Sequence, residues 1–272
     1  MSDFPEYESN SPSLTVEQAL TNLQQKEDLG LRYYAAWWLG RFRVSEPKAM
    51  NLLMEALTDD TDRTPDGGYP LRRNAATALG KLEATTAVPA LIDCLTCEDY
   101  YVRESAAQAL EMIGDQRAIP ALIDLLDGGV EAAVQVVGKP HLRQPYEAIL
   151  EALGTLGVKN SILLIEPFLG HSTEKVQYAA ARALYQLTGQ NIYGDRLIQA
   201  LDGKDLQLRR SALMDLGAIG YLSAAEPIYN TLAENSLKLI ALKGLLENHL
   251  KDHNNVLSDE SKHVMGLMDG LL

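Results

Sequence analysis

Two basic clusters, Arg72-Arg73 and Lys139-Pro-His141-Leu-Arg143, hold the side chains best suited to chemistry. Each follows a Gly-containing turn with a proline close by, and each has an aromatic neighbour, Tyr69 before the first and Tyr146 after the second. Guanidinium groups clamp carboxylates through charge-assisted pairs, and an imidazole titrates near neutrality. His141 is therefore a candidate acid or anion donor, weighed against a solvated loop residue. A second feature is aromatic. Tyr33 and Trp37 lie four residues apart on what reads as a helix, so their rings share one face, which Arg41 extends by a turn. The competing reading is that the first residues, with Phe4 and Tyr7, fold back over them.

Other chemistries find little support. Cys94-Leu-Thr-Cys97 is a lone C-x-x-C with no second ligand pair for zinc and no βαβ setting for redox work. A packed thiol is the simpler reading of Cys94, with a transient covalent role as the alternative. His141, His171, His249, His253 and His263 form no ligand cluster, and no His-Glu dipeptide, G-x-S-x-G, Walker loop or dinucleotide fingerprint occurs. No metal is expected.

The elements that position these residues follow from a repeat. LRYYAAWWLG at Leu31 returns as LRRNAATALG at Leu71 and VRESAAQALE at Val102. Weaker copies are PYEAILEALG at Pro145, VQYAAARALY at Val176, LRRSALMDLG at Leu208 and LKLIALKGLL at Leu237. Successive copies start 40, 31, 43, 31, 32 and 29 residues apart. A period near 31 with apolar residues at positions one, five, eight, nine and twelve gives one stripe of a helix. Small residues at five and six let neighbouring helices approach. A turn then leads to a short second helix, VPALIDCL or IPALIDLL, with proline near its start at Pro89, Pro120 and Pro227.

The expected fold is all-α: a right-handed α-solenoid of HEAT-like repeats, about six helix pairs plus capping helices. Thr15 with Gln18 forms a capping box that opens a half-repeat, and Ser258–Leu272 closes the stack. Residues 1–13 read as a flexible tail and 14–272 as a single solenoid. The two long gaps are insertions, 59–70 and 128–144, both entering the first helix of a repeat. Insertions in repeat proteins map to loops, often on the binding face. Position two is basic in Arg32, Arg72, Arg103, Arg209 and Lys238, read as a ladder to acids in the preceding turn, Asp99 for Arg103 and Asp205 for Arg209. Positions three and seven are mostly polar and read as a wet side. Val264, Leu267, Met268 and Leu271 form a terminal apolar stripe that closes the last repeat or meets a partner.

Lys and Arg number 24 against 37 Asp and Glu, a net charge of −13. That argues against nucleic-acid and anionic-membrane surfaces. No run approaches the ~18 apolar residues of a membrane helix. The acidic, polar start is unlike a signal peptide, and two cysteines fit a reducing cytoplasm.

YYAAWWLGRFRV, RTPDGGYPLRRNAA, GKPHLRQPYEA and VQYAAARALYQLTG resemble the E-type subunits of the cyanobacterial E/F phycobilin lyases, over roughly Thr15 to Leu250. The resemblance implies a heterodimer with an F-type subunit that attaches phycocyanobilin, through a thioether, to a cysteine of the apo-phycocyanin α chain. Phycocyanobilin is then a substrate, no cofactor is tightly bound, and the attacking sulfur belongs to the acceptor. A lyase-isomerase acting on phycoerythrocyanin shares much of the pattern, and the isomerisation signature belongs to the F-type partner. On this reading Tyr33, Trp37, Tyr69, Arg72, Arg73, Arg143 and Tyr146 contact the bilin, His141 is catalytic, and Val264, Leu267, Met268 and Leu271 meet the partner. The alternatives are a non-catalytic adaptor that docks the client and a repeat scaffold unrelated to pigments.

Overall fold

The computed structural model describes residues 14–272; the tail expected over 1–13, with Phe4 and Tyr7, lies outside the described residues. The regular elements are helices, and the β structure among the described residues is one isolated antiparallel bridge, Gln135–Leu142. The chain is an all-α solenoid. Its first helices are α2 (Leu29–Arg41), α4 (Pro70–Lys81), α6 (Tyr100–Ile113), α9 (Tyr146–Thr155), α11 (Glu174–Thr188), α13 (Leu206–Ile219) and α15 (Asn235–Asp252). The second helices are α3 (Pro47–Ala56), α5 (Val88–Cys94), α7 (Ile119–Asp124), α10 (Ile162–Ile165), α12 (Asn191–Ala200) and α14 (Ala225–Asn230). α1 (Val16–Gln24) and α16 (Asp259–Asp269) cover the ends, and α8 (Gly129–Ala132) belongs to the second insertion.

Local sequence explains the helix ends. The Thr15–Gln18 capping box forms as expected, each side chain accepting the other's backbone N–H. Asp28, Asp99 and Asp205 cap α2, α6 and α13 by accepting from backbone N–H groups one turn on. Pro89 and Pro120 occupy the second residue of α5 and α7, where a missing N–H costs nothing. These second helices are too short to stand alone, and their stability comes from packing on their partners.

The core consists of the repeat's apolar positions, such as Leu71, Ala75, Ala78 and Leu79, all buried. It forms two clusters that meet at α11. The small residues at five and six are buried, but the closest backbone approach comes from elsewhere in the repeat. A Cβ built on Gly40 would lie 2.6 Å from the Cα of Ala78, and one on Gly80 2.7 Å from the Cα of Ala109. Gly154 against Ala183 and Gly217 against Ala241 repeat the contact. At the two remaining junctions the equivalent residue is Glu111 or Tyr185, so α6–α9 and α11–α13 lack this contact.

Arg182 bridges those two junctions. Its guanidinium reaches Glu111 on α6 at 2.5 Å, Glu151 on α9 at 3.0 Å and Asp215 on α13 at 3.3 Å. Two interhelix spacings are about 16–20 Å. An arginine on α11 meets a glutamate on α6 only if the stack bends toward this side. Positions three and seven of the first helices therefore line the inside of the curve. Of the polar residues expected to face open water there, Glu151 and Arg182 instead pair with each other.

The arginine ladder also differs from expectation. Arg103 donates to the Cys97 and Glu98 carbonyls, and Arg209 to the Gly203 carbonyl, because Asp99 and Asp205 are occupied as helix caps. Arg32 reaches back to the Leu23 carbonyl and forward to Asp59. The terminal stripe is taken by the chain itself. Val264 is buried, and Leu267, Met268 and Leu271 are half-buried against the last core cluster.

Two tests follow from this packing. Ala exceeds Gly in helix propensity by about 1 kcal/mol, while forcing extra atoms into a tight contact costs about 1–3 kcal/mol or more. Gly80→Ala should therefore lower the urea midpoint. Gly266→Ala in α16, where a Cβ meets nothing within 4 Å, should raise it. The second test concerns charge. Burial, with Asp215 and Glu111 nearby, pushes the Glu151 carboxyl up to about 8 against the pull of Arg182, and Asp215 moves the same way. The folded chain then holds more protons than the unfolded one between the ordinary carboxylate range and about pH 8. Stability should fall as pH rises through that window. Glu151→Gln should flatten the fall in a series of melting curves, and Arg182→Met should cost about 3–5 kcal/mol at pH 8.

Candidate functional site

The first insertion folds on Thr64. Its hydroxyl accepts from the Gly68 N–H at 2.8 Å, and its backbone carbonyl accepts from the N–H of Gly67, whose φ of 91° requires glycine. Asp99 fixes the loop to the start of α6. One carboxylate oxygen accepts from the Tyr69 N–H at 2.8 Å and the Arg73 guanidinium at 2.7 Å, while the other accepts the α6 cap from Tyr101.

The second insertion is α8 followed by a short hairpin. Val136 N–H donates to the His141 carbonyl and Arg143 N–H to the Val134 carbonyl. Its base is held by His171, whose Nε2 donates to the Ala133 carbonyl at 2.7 Å while Nδ1 accepts from Thr173. Arg103 joins the hairpin to α6, bonding the Gln144 side chain and the Arg143 carbonyl at 3.0 Å each.

The two insertions, with the first turn of α6 between them, enclose a cleft of about 650 Å³. Tyr100 stacks on His141 with ring centroids 4.2 Å apart and planes 14° from parallel. Tyr101 lies edge-on to both rings, with the Arg73 guanidinium 4.6 Å above it. Arg63 pairs with Glu98 and Arg73 with Asp99. Lys139 and Arg143 have no ion-pair partner among the described residues. The Asp66 carboxyl is held below the ordinary range, chiefly by a hydrogen bond from Thr64, with Lys139 and Arg73 adding to it. The rim thus offers two unpaired cations, two paired arginines and a stack of flat rings. Such a cleft suits an elongated conjugated molecule carrying carboxylates.

The sequence candidates divide. His141, Arg143 and Arg73 line the cleft together. Tyr33 and Trp37 are 42% and 41% exposed, on the same inner face as Arg73, and Trp37 stacks on Tyr34 at 5.4 Å. They stand outside the cleft, with α2 packed directly on α4; Asn74 of α4 donates to the Tyr33 carbonyl.

Three expected contacts are displaced. Tyr146 is 1% exposed and packs on Phe168, so it belongs to the core. Tyr69 is 6% exposed, its ring lies under Arg72 at 4.0 Å and its hydroxyl donates to Glu98, so it supports the rim. Arg72 donates to the Asp59 and Thr58 carbonyls as an ordinary rung of the ladder. Tyr100, Tyr101, Arg63 and Asp99 were not anticipated. The signal available was the Tyr-Tyr pair directly after a capping aspartate, in the one repeat flanked by both insertions. Burial pushes the Cys94 thiol up to about 12, which makes it a poor nucleophile, while the half-buried Cys97 accepts from Arg72 at 3.9 Å. No group of His, Cys, Asp and Glu among the described residues is arranged to hold a metal, and no helix is long and apolar enough to cross a membrane.

Asp99→Ala should remove the loop anchor and a helix cap together. The expected loss is about 3–5 kcal/mol in urea unfolding, with early protease cleavage within residues 59–70.

The chain matches the models described as HEAT repeats over 65–137 and PBS lyase HEAT-like repeat over 31–59 and 176–203. It is 62% identical over 266 residues to the phycocyanobilin lyase subunit alpha of Synechocystis sp. (strain ATCC 27184 / PCC 6803 / Kazusa), covering 96% of this chain and 98% of that protein. The subunit of the same name from Nostoc sp. (strain PCC 7120 / SAG 25.82 / UTEX 2576) is 61% identical, covering 99% and 98%. The bilin biosynthesis protein PecE of Mastigocladus laminosus is 47% identical over 91% of this chain and 87% of that protein. Among solved structures, the complex of CpcE and CpcF of phycocyanin lyase from Nostoc sp. PCC7120 matches with a TM-score of 0.91 and 61% identity, covering 100% of this chain and 99% of that one.

Proposed function

The chain belongs to the family of phycocyanobilin lyase alpha subunits, and we propose that it works with an F-type subunit to attach phycocyanobilin, through a thioether, to a cysteine of the apo-phycocyanin α chain. Identity near 60% to subunits of that name, against 47% to PecE, favours this client over phycoerythrocyanin. The carrying observation is the cleft, in which two insertions far apart in sequence meet around stacked rings and unpaired cations. Its volume falls within the ~300–1,000 Å³ of ligand sites.

Phycocyanobilin is a flexible conjugated tetrapyrrole with two propionates. Lys139 and Arg143 take a propionate, Tyr101 and the Tyr100–His141 pair cover a ring, and Arg73 closes the inner edge. Tyr33 and Trp37 extend the aromatic surface along the inside of the curve. The reaction adds a thiol across the exocyclic ethylidene of ring A, and the acceptor protein supplies the sulfur. Holding one bilin conformer against one cysteine is catalysis by positioning. His141 is the acid nearest the developing negative charge. The setting is the cytoplasm, where acceptor thiols stay reduced.

The test is an absorption titration of the heterodimer with phycocyanobilin. A shifted, intensified long-wavelength band is expected. A charge-assisted pair contributes about 1.5–3 kcal/mol, so Lys139→Ala with Arg143→Ala should weaken binding roughly ten- to hundredfold or more. No spectral change with the wild-type heterodimer would leave an adaptor that only docks the client.

A further inference from the structure

His141 is held more tightly than a loop histidine needs to be. Its Nδ1 lies 2.8 Å from the Leu142 carbonyl, and a carbonyl oxygen only accepts, so Nδ1 carries the hydrogen. One ring face is covered by Tyr100 at 4.2 Å, and the edge of Tyr101 limits rotation. No protein group among the described residues bonds Nε2. The neutral ring is thus fixed with its lone pair on the free nitrogen, the form that accepts a proton before it gives one. Besides His141, the charged and titratable groups lining the same cleft are Arg63, Asp66, Arg73, Glu98, Asp99, Tyr100, Tyr101, Arg103, Lys139 and Arg143. The four arginines and Lys139 are donors with no lone pair for a thiol's proton, and the Asp66, Glu98 and Asp99 carboxylates already accept from Thr64, Arg63 and Arg73.

Resting on the reading of the cleft as the bilin site, we propose that His141 is the proton carrier of the coupling step, with the acceptor's cysteine as its first partner. Nε2 takes the proton from the thiol. The thiolate attacks the exocyclic carbon of the ethylidene and forms the C–S bond. The electron pair of that double bond moves into the conjugated system, and the imidazolium returns its proton to the adjacent ring-A carbon. S–H has then added across one C=C, nothing is oxidised or reduced, and His141 ends neutral. The Leu142 carbonyl and the Tyr100 ring are positioning groups that set which nitrogen does the work.

The experiment compares wild type with His141→Gln in the full heterodimer. It follows bilin binding by absorption, attachment to the apo-phycocyanin α chain against pH, and the imidazole nitrogens by NMR with labelled histidine. Expected are an Nδ1–H tautomer in neutral wild type and a bilin band that persists, weakened, in the variant, whose attachment rate is then read at saturating bilin. Attachment should slow by about 10²–10⁴-fold, with one limb missing from the pH profile. An Nε2–H tautomer, or a variant that binds bilin and attaches it at the wild-type rate, would overturn the relay alone. Absence of any bilin band in the wild-type heterodimer would overturn the cleft reading and the relay with it.

Discussion

Backbone-to-backbone contact between neighbouring first helices sets the pitch on which the rest of the molecule is placed. Where glycine stands against alanine, as at Gly40–Ala78 and Gly80–Ala109, the helices touch without a side chain between them. Dispersion and burial act over the whole length of such a contact, and one added methyl group would push it apart. Because α2, α4 and α6 are fixed in this way, the loops that begin at their ends are fixed as well. The first insertion inherits its position from α4, and Asp99 then ties it to α6.

The other half of the cleft depends on polar contacts. Between α6 and α9 the close contact is missing, and Arg103, His171 and the Arg182 cluster take its place. Such contacts are directional, so they orient the hairpin more sharply than apolar packing would. The division of labour is physical: packing sets how far apart the walls are, and hydrogen bonds set which way they face.

The repeat, the helix pairs and the Thr15–Gln18 capping box were legible in the sequence because each is a local pattern of residue type and spacing, whereas Asp99 and Asp205, read as ladder partners, are helix caps. Gly-Gly-Tyr-Pro and Gly-Lys-Pro-His mark loops by backbone rules alone. Cleft membership is a different kind of fact. Tyr146 and Tyr101 are both tyrosines at the start of a first helix, yet one is core and the other rim, and the difference is two positions in repeat register. Arg72 and Arg73 are adjacent, and only the second points into the curve. The role of Arg182 was hidden for a further reason. Its three partners lie 71, 31 and 33 residues away, and curvature is a sum over several junctions that no single repeat records.

The cleft walls rise from helix ends two repeats apart, while Arg182 sits lower on the same inner side of the stack. Loops standing off the starts of α4 and α9 are carried by those helices, and Arg182 ties α9 to α6 and α13 further along the stack. A small change of angle between neighbouring helices, absorbed almost unnoticed within the core, is magnified at the loops into a change in the mouth of the cleft. A second subunit gripping the outer side of the stack would thus hold a lever over the opening without touching anything inside it.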